Sequence, residues 1–166
     1  MDALSLVKQQ VATARREFNG VMQDVSQDMG NWQPPGVANS IVDLYLHTTL
    51  GADRAVSRIT GKPALIDQWA AKMKIPAEFR HTPEASRALR ADVATLKQYG
   101  EAVAGAVDGM LASFKDADLD RMLDSPRGPA PITNTLTYNL ITHVAEHTGE
   151  ISAIKGLQGA KGYATA

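Results

Sequence analysis

Large apolar side chains recur three and four residues apart in segment after segment, and that rhythm commits most of this chain to helices. The first run contains Leu4, Val7, Val11, Ala14, Phe18, Val21 and Val25, with Lys8, Arg15 and Arg16 between them, and it ends near Gly30. The second opens at Ser40, with Asp43 three residues on as in a capping box. It repeats through Ile41, Leu44, Thr48, Gly51, Ala55 and Ile59, and Val42, Leu46 and Leu50 add a second apolar side. The third starts with Thr82 as N-cap, Pro83 in the first helical position and Glu84 at the positive helix end. From there the pattern predicts one helix through Leu89, Val93, Leu96, Gly100, Val103, Val107, Met110 and Phe114. The fourth, TLTYNLITHVAEHTGEISAI, carries Leu136, Leu140, Val144, Ile151 and Ile154. No segment alternates as a strand does. The expected fold is all-α, a four-helix bundle formed as a single domain over residues 1–166.

The connections add topology. GNWQPPG and GKP are breaks, because proline lacks the amide donor and glycine tolerates positive φ. The first two helices are joined by about ten residues, which suits antiparallel neighbours. The stretch from Ile59 to Pro83 is long enough to cross the bundle even with a short helix at ALIDQWAAKM, which predicts that the third helix runs parallel to the second. Trp32 and Trp69 fall in connections and read as covers over the bundle ends. The C-terminal GLQGAKGYATA reads as irregular.

Composition excludes several chemistries. With no cysteine there is no disulfide, thiolate ligand or cysteine nucleophile. A net charge of -1 gives no footprint for nucleic acid and no polybasic membrane patch. No apolar run is long enough to span a bilayer, and the N-terminus lacks the basic and apolar blocks of a signal peptide, so the expected location is cytoplasmic.

The distinctive chemistry lies in the fourth segment, where His143 and His147 take places in the apolar stripe that another Leu or Val would fill. Four residues apart on a helix, they sit about 40° and one turn from each other, with Cβ atoms roughly 6 Å apart. That spacing lets two imidazoles share one ion with Zn–N bonds of about 2.0–2.1 Å. The alternative is a pair of hydrogen-bonded core histidines, each needing partners for both ring nitrogens. His47, midway along the second helix, is the candidate third ligand. His81, beside the third N-cap, is left aside. Glu150, one turn beyond His147, is the candidate to complete the shell or orient a bound water. Glu146 reads as a solvated face, and Asp43 as a cap or a partner of His47.

Other motifs fail on their requirements. HVAEH matches the inverted zinc-peptidase pattern, but the chain lacks the downstream third ligand of those larger enzymes. A di-iron site would need a Glu-x-x-His motif on each of two helices, and the chain does not supply two. DADLD begins like a calcium loop, yet Arg121 stands where glycine is needed and Arg127 where the bidentate glutamate belongs. GLQGAKG lacks the strand-to-helix setting of a phosphate loop.

His47 within SIVDLYLHTTLGADRAVSRITGKP, the pair in HVAEHTGEISAIKGLQGAKG, and the four-helix layout together resemble the DinB/YfiT-like superfamily, over essentially the whole chain. The resemblance implies a down-up-up-down bundle with a crossover between the second and third helices. It implies a three-histidine centre of His47, His143 and His147 holding a divalent ion, nickel or zinc, and a homodimer. Relatives of that kind include thiol-dependent enzymes such as bacillithiol transferases and mycothiol-dependent maleylpyruvate isomerase. The expected function is therefore a metal-dependent enzyme activating a thiol or water against a small-molecule substrate. Any thiol cofactor would be a diffusible low-molecular-weight one, since the chain has no cysteine. The competing reading is a non-catalytic dimeric bundle in which the metal is a structural staple.

Overall fold

The computed structural model describes residues 2–75, 81–124 and 128–163. Its long helices are α1 (Ala3–Met22), α3 (Ile41–Thr60) and α6 (Val93–Ser113). A C-terminal helix is assembled from α7 (Ile132–Thr137), a π-helical turn (Tyr138–Thr142) and α8 (His143–Leu157). Short helices α2 (Gln27–Asn31), α4 (Ile66–Trp69) and α5 (Pro83–Ala88) lie in the connections. A 3₁₀ turn (Asp116–Asp120) precedes a two-residue antiparallel pair, Met122–Leu123 with Ala130–Pro131. The chain is predominantly helical, as the apolar rhythm predicts, and that small ladder is a strand element the sequence did not announce.

Helix starts follow side-chain chemistry. Asp2, Ser26, Ser40, Thr82 and Asp92 each accept a hydrogen bond from the backbone N–H three residues on. Gly61 ends α3 in the left-handed conformation at φ 73°, as a C-terminal glycine allows. The buried stripe of α1 (Leu4, Val11, Ala14, Phe18, Val21) meets the faces of α3, α6 and α8 in one continuous apolar core. Phe18 stacks on Tyr45 of α3 with centroids 4.7 Å apart. Tyr45 in turn lies directly on Gly100 of α6, where any Cβ would overlap its hydroxyl.

Residue pairings define how the helices run past one another. Along α1 and the residues just after it, the numbers run opposite to those of α6. Arg15 Nη1 donates to Asp108 Oδ1 (2.7 Å), while Lys97 Nζ donates to the carbonyl of Val25 (3.2 Å). Between α3 and α6 they rise together: Val42 and Val93 both flank Gly30, and the Tyr99 hydroxyl donates to Asp53 Oδ2 (2.8 Å). Asp53 is buried on α3 and also accepts the N–H groups of Leu65 and Ile66 at 2.9 and 2.8 Å, fastening the start of the crossover. Residues 76–80 of that crossover, residues 125–127 of the SPRGPAP linker (Arg127 of the rejected calcium loop among them) and the last three of GLQGAKGYATA lie outside the described residues.

Two elements correct the sequence reading. The third helix is not continuous from Pro83 to Phe114; it breaks between Ala88 and Val93, and Leu89 is extended at ψ 132°. The backbone groups freed there are taken by side chains from α2. Gln27 donates to the carbonyl of Ala91 (2.9 Å) and accepts from Val93 N–H (2.9 Å); Asn31 donates to the same carbonyl and accepts from Ala91 N–H, both at 3.0 Å. Asp92 then caps α6 through Thr95 N–H at 2.7 Å. The fourth helix contains the π turn, in which His143 N–H bonds to the carbonyl of Tyr138, five residues back. Besides His143, buried positions there fall at Ile132, Leu136, Leu140, Val144 and Thr148, every four residues, and the π turn absorbs part of the slip against an α-helical repeat of about 3.6. DADLD carries carboxylates that cap: Asp116 accepts from Leu4 N–H and Asp118 from Lys115 N–H, both at 2.8 Å. Trp69 sits against Tyr99, with ring centroids 6.1 Å apart.

Candidate metal centre

His47 on α3 and His143 and His147 on α8 converge. His143 Nε2 stands 3.0 Å from His47 Nε2 and 3.0 Å from His147 Nε2, and ligand atoms of all three rings lie within 4.8 Å of one another. Gly51, one turn after His47, faces the His143 ring, and a Cβ there would lie 3.4 Å from it, at the edge of van der Waals contact. His143 is buried at 6% exposure, and the rings of Tyr138 and His143 stack with centroids 5.4 Å apart.

Proton accounting limits what this cluster can be. An imidazole nitrogen carries either a proton or a lone pair, so His143 Nε2 cannot donate along one 3.0 Å contact and accept along the other. His147 Nδ1 donates to Glu150 Oε2 at 2.6 Å, which leaves its Nε2 with the lone pair aimed inward. As a lone pair, His143 Nε2 therefore opposes the His147 lone pair unless a cation lies between them, and as a donor it must divide one proton between two acceptors. Protonation is not the remedy. Burial first, then the neighbouring His147 and His47, pushes His143 down to about 4, and burial likewise lowers His47. Near neutral pH the rings of His143 and His47 are in the neutral form that ligates metals. The donor set fits a divalent ion, and the Glu150–His147 contact is the carboxylate–histidine arrangement that orients such ligands.

His81, which the sequence reading set aside, comes to the same place. Its ring meets His47 edge-on with centroids 4.7 Å apart, and its Nδ1 lies 3.3 Å from Asp43 Oδ1. The buried Asp43 thus faces His81, and its charge also acts on His47. The signal available was modest: His81 abuts a strong N-cap, so the crossover has to deliver it to the start of a helix. His47, His147, Glu150, His81 and Arg87 line a cavity of about 540 Å³ whose apolar wall is Val37, Leu44 and Pro83. That volume suits a small organic ligand. Glu146 is exposed on α8, as expected of a solvated face.

The family model of the DinB superfamily matches residues 10–151. The chain belongs to the DinB superfamily. A crystal structure of a conserved protein from Enterococcus faecalis is 19% identical, covers 95% of this chain and 97% of its own, and superposes with a TM-score of 0.79. That likeness is one of fold. No curated protein matches the chain. Among the described residues no helix is long and apolar enough to cross a membrane.

Proposed function

We propose that this DinB-superfamily protein is a down-up-up-down four-helix bundle that holds one divalent ion, nickel or zinc, through His47, His143 and His147, and uses it on a small molecule. The opposed pairings of α1 with α6 and the concordant pairings of α3 with α6 support the topology. The single observation that carries the metal is the pair of 3.0 Å Nε2 contacts around a buried, neutral His143.

Such an ion, when bound, lowers the pKa of a thiol or a water so that it reacts at neutral pH. The protein's own groups would do the rest. Glu150 keeps the Nδ1 proton on His147 and so keeps its Nε2 free. The neutral rings of His47 and His143 add no positive charge to repel the ion. Val37, Leu44 and Pro83 supply an apolar wall for the substrate. Thiol transfer and hydrolysis are the two reaction types this serves, the thiol being a diffusible small molecule. A cavity opening beside two of the three ligands supports a working site over a structural staple.

Elemental analysis of the purified protein tests the reading. One divalent ion per chain is expected, lost in each of His47→Ala, His143→Ala and His147→Ala while the helical circular-dichroism signal persists. A wild-type protein that takes up no divalent metal, or three variants that retain it, would overturn the proposal.

A further inference from the structure

We infer that the substrate or thiol admitted to this cavity carries a carboxylate, and that Arg87 is the residue that recognises it. The inference rests on the proposed metal reading for what lies at the far wall, but its own observations are separate. The lining holds two acids, and each faces a histidine: Asp43 Oδ1 is 3.3 Å from His81 Nδ1, and Glu150 Oε2 is 2.6 Å from His147 Nδ1. Arg87 is the one Lys or Arg in the lining, and no carboxylate pairs with it among the described residues. Among the described residues its guanidinium donates from Nη1 to a neutral acceptor, the carbonyl of Ala38, at 3.2 Å.

A guanidinium has five N–H donors in a fixed fork, so most of its capacity stays available, and that fork matches a carboxylate in a two-point contact. The mounting is firm. Arg87 sits on α5, whose first turn is fixed by Pro83 and by Thr82 accepting from Ala85 N–H at 3.2 Å. Its bond to Ala38 braces it against the segment leading into α3. The histidine ligands His47 and His147 and the Arg87 fork thus share one cavity with an apolar wall at Val37, Leu44 and Pro83. A molecule held there meets a cation at one point, apolar surface along its body and the imidazole centre at another. One unpaired cation beside two carboxylates favours a monoanion over a phosphate dianion, because a second negative charge would face Asp43 and Glu150 uncompensated.

The probes are 3-mercaptopropionate and 3-mercaptopropionamide, equal in size and differing in charge. Binding to the nickel-loaded protein is read from thiolate-to-nickel absorption. The acid is expected to bind about tenfold or more tightly than the amide, as a charge-assisted pair implies. In Arg87→Gln, which removes the charge and the fork, that preference should fall to within about twofold with nickel content unchanged. Equal affinities in the wild type, or a preference that survives Arg87→Gln, would overturn the inference. Failure of the metal reading is distinguishable. Elemental analysis reports it directly, and propionate against propionamide, followed by amide NMR shifts on the metal-free protein, still reads the Arg87 preference. A carboxylate preference there sustains the inference, and its absence refutes it.

Discussion

Lowering the pH on metal-free protein should expose the burden His143 carries. The ring is 6% exposed, and its folded-state pKa lies at about 4 against an ordinary value of 6.5, chiefly because burial penalises the charged form. Between those values the unfolded chain takes up the proton and the folded chain does not. The contribution is therefore whole above about pH 6.5 and disappears as the pH falls toward 4. At about 1.36 kcal/mol per pKa unit, the loss between pH 7 and pH 4.5 comes to about 2–2.5 kcal/mol. For a chain of this size that is a fall of roughly 5–10 °C in Tm. His47 is shifted in the same direction and adds to the loss with the same sign. The assay is urea unfolding of chelator-treated protein at both pH values, wild type beside His143→Gln. Carboxylates elsewhere titrate in both proteins, so the difference between the two slopes isolates residue 143. The wild type should lose about 2 kcal/mol more than the variant. Equal losses would show that the ring protonates freely in the folded state, and the argument that it stands neutral among its neighbours would fail. Saturating nickel or zinc should oppose the acid loss in the wild type, since the ion competes with the proton for the same lone pairs.

Glu150→Gln should weaken metal affinity by about 10–100-fold in a chelator competition, because the anionic partner of His147 Nδ1 is lost; an unchanged affinity would remove Glu150 from the centre. Asp53→Ala should lower the unfolding free energy by about 2–4 kcal/mol with little change in urea m-value, since it orphans the N–H groups of Leu65 and Ile66 and the Tyr99 hydroxyl together. A cost below about 0.5 kcal/mol would mean that water replaces those bonds.

How much of this was legible depends on how local the cause is. The helical runs were readable because burial on one face repeats within the segment itself. The three histidines were readable because each interrupts or borders an apolar stripe, and helical geometry alone carries two of them to one side. The break after Ala88 was not, because the groups that stabilise it are the side-chain amides of Gln27 and Asn31, more than fifty residues earlier in the chain. Only Asp92, a good N-cap residue, hinted at a second start. His81 was passed over for a similar reason: a loop position says nothing of which helix the loop returns to, and its neighbour Asp43 had a nearer explanation in the Ser40 cap. Arg87 reads in sequence as an ordinary charge near a helix end, and only the cavity separates it from the other arginines. The π turn did leave a trace, in apolar residues spaced steadily by four where three and four should alternate.

That turn governs aim. One surplus residue between Tyr138 and Thr142 rotates everything after it by about 100° relative to everything before it. The stretch through Leu136 can thus keep its grip on the core while the two imidazoles of α8 swing toward α3. Deleting a single residue from the turn would restore an uninterrupted helix and point those rings somewhere else, so a locally less regular backbone is what makes the convergence of distant side chains possible.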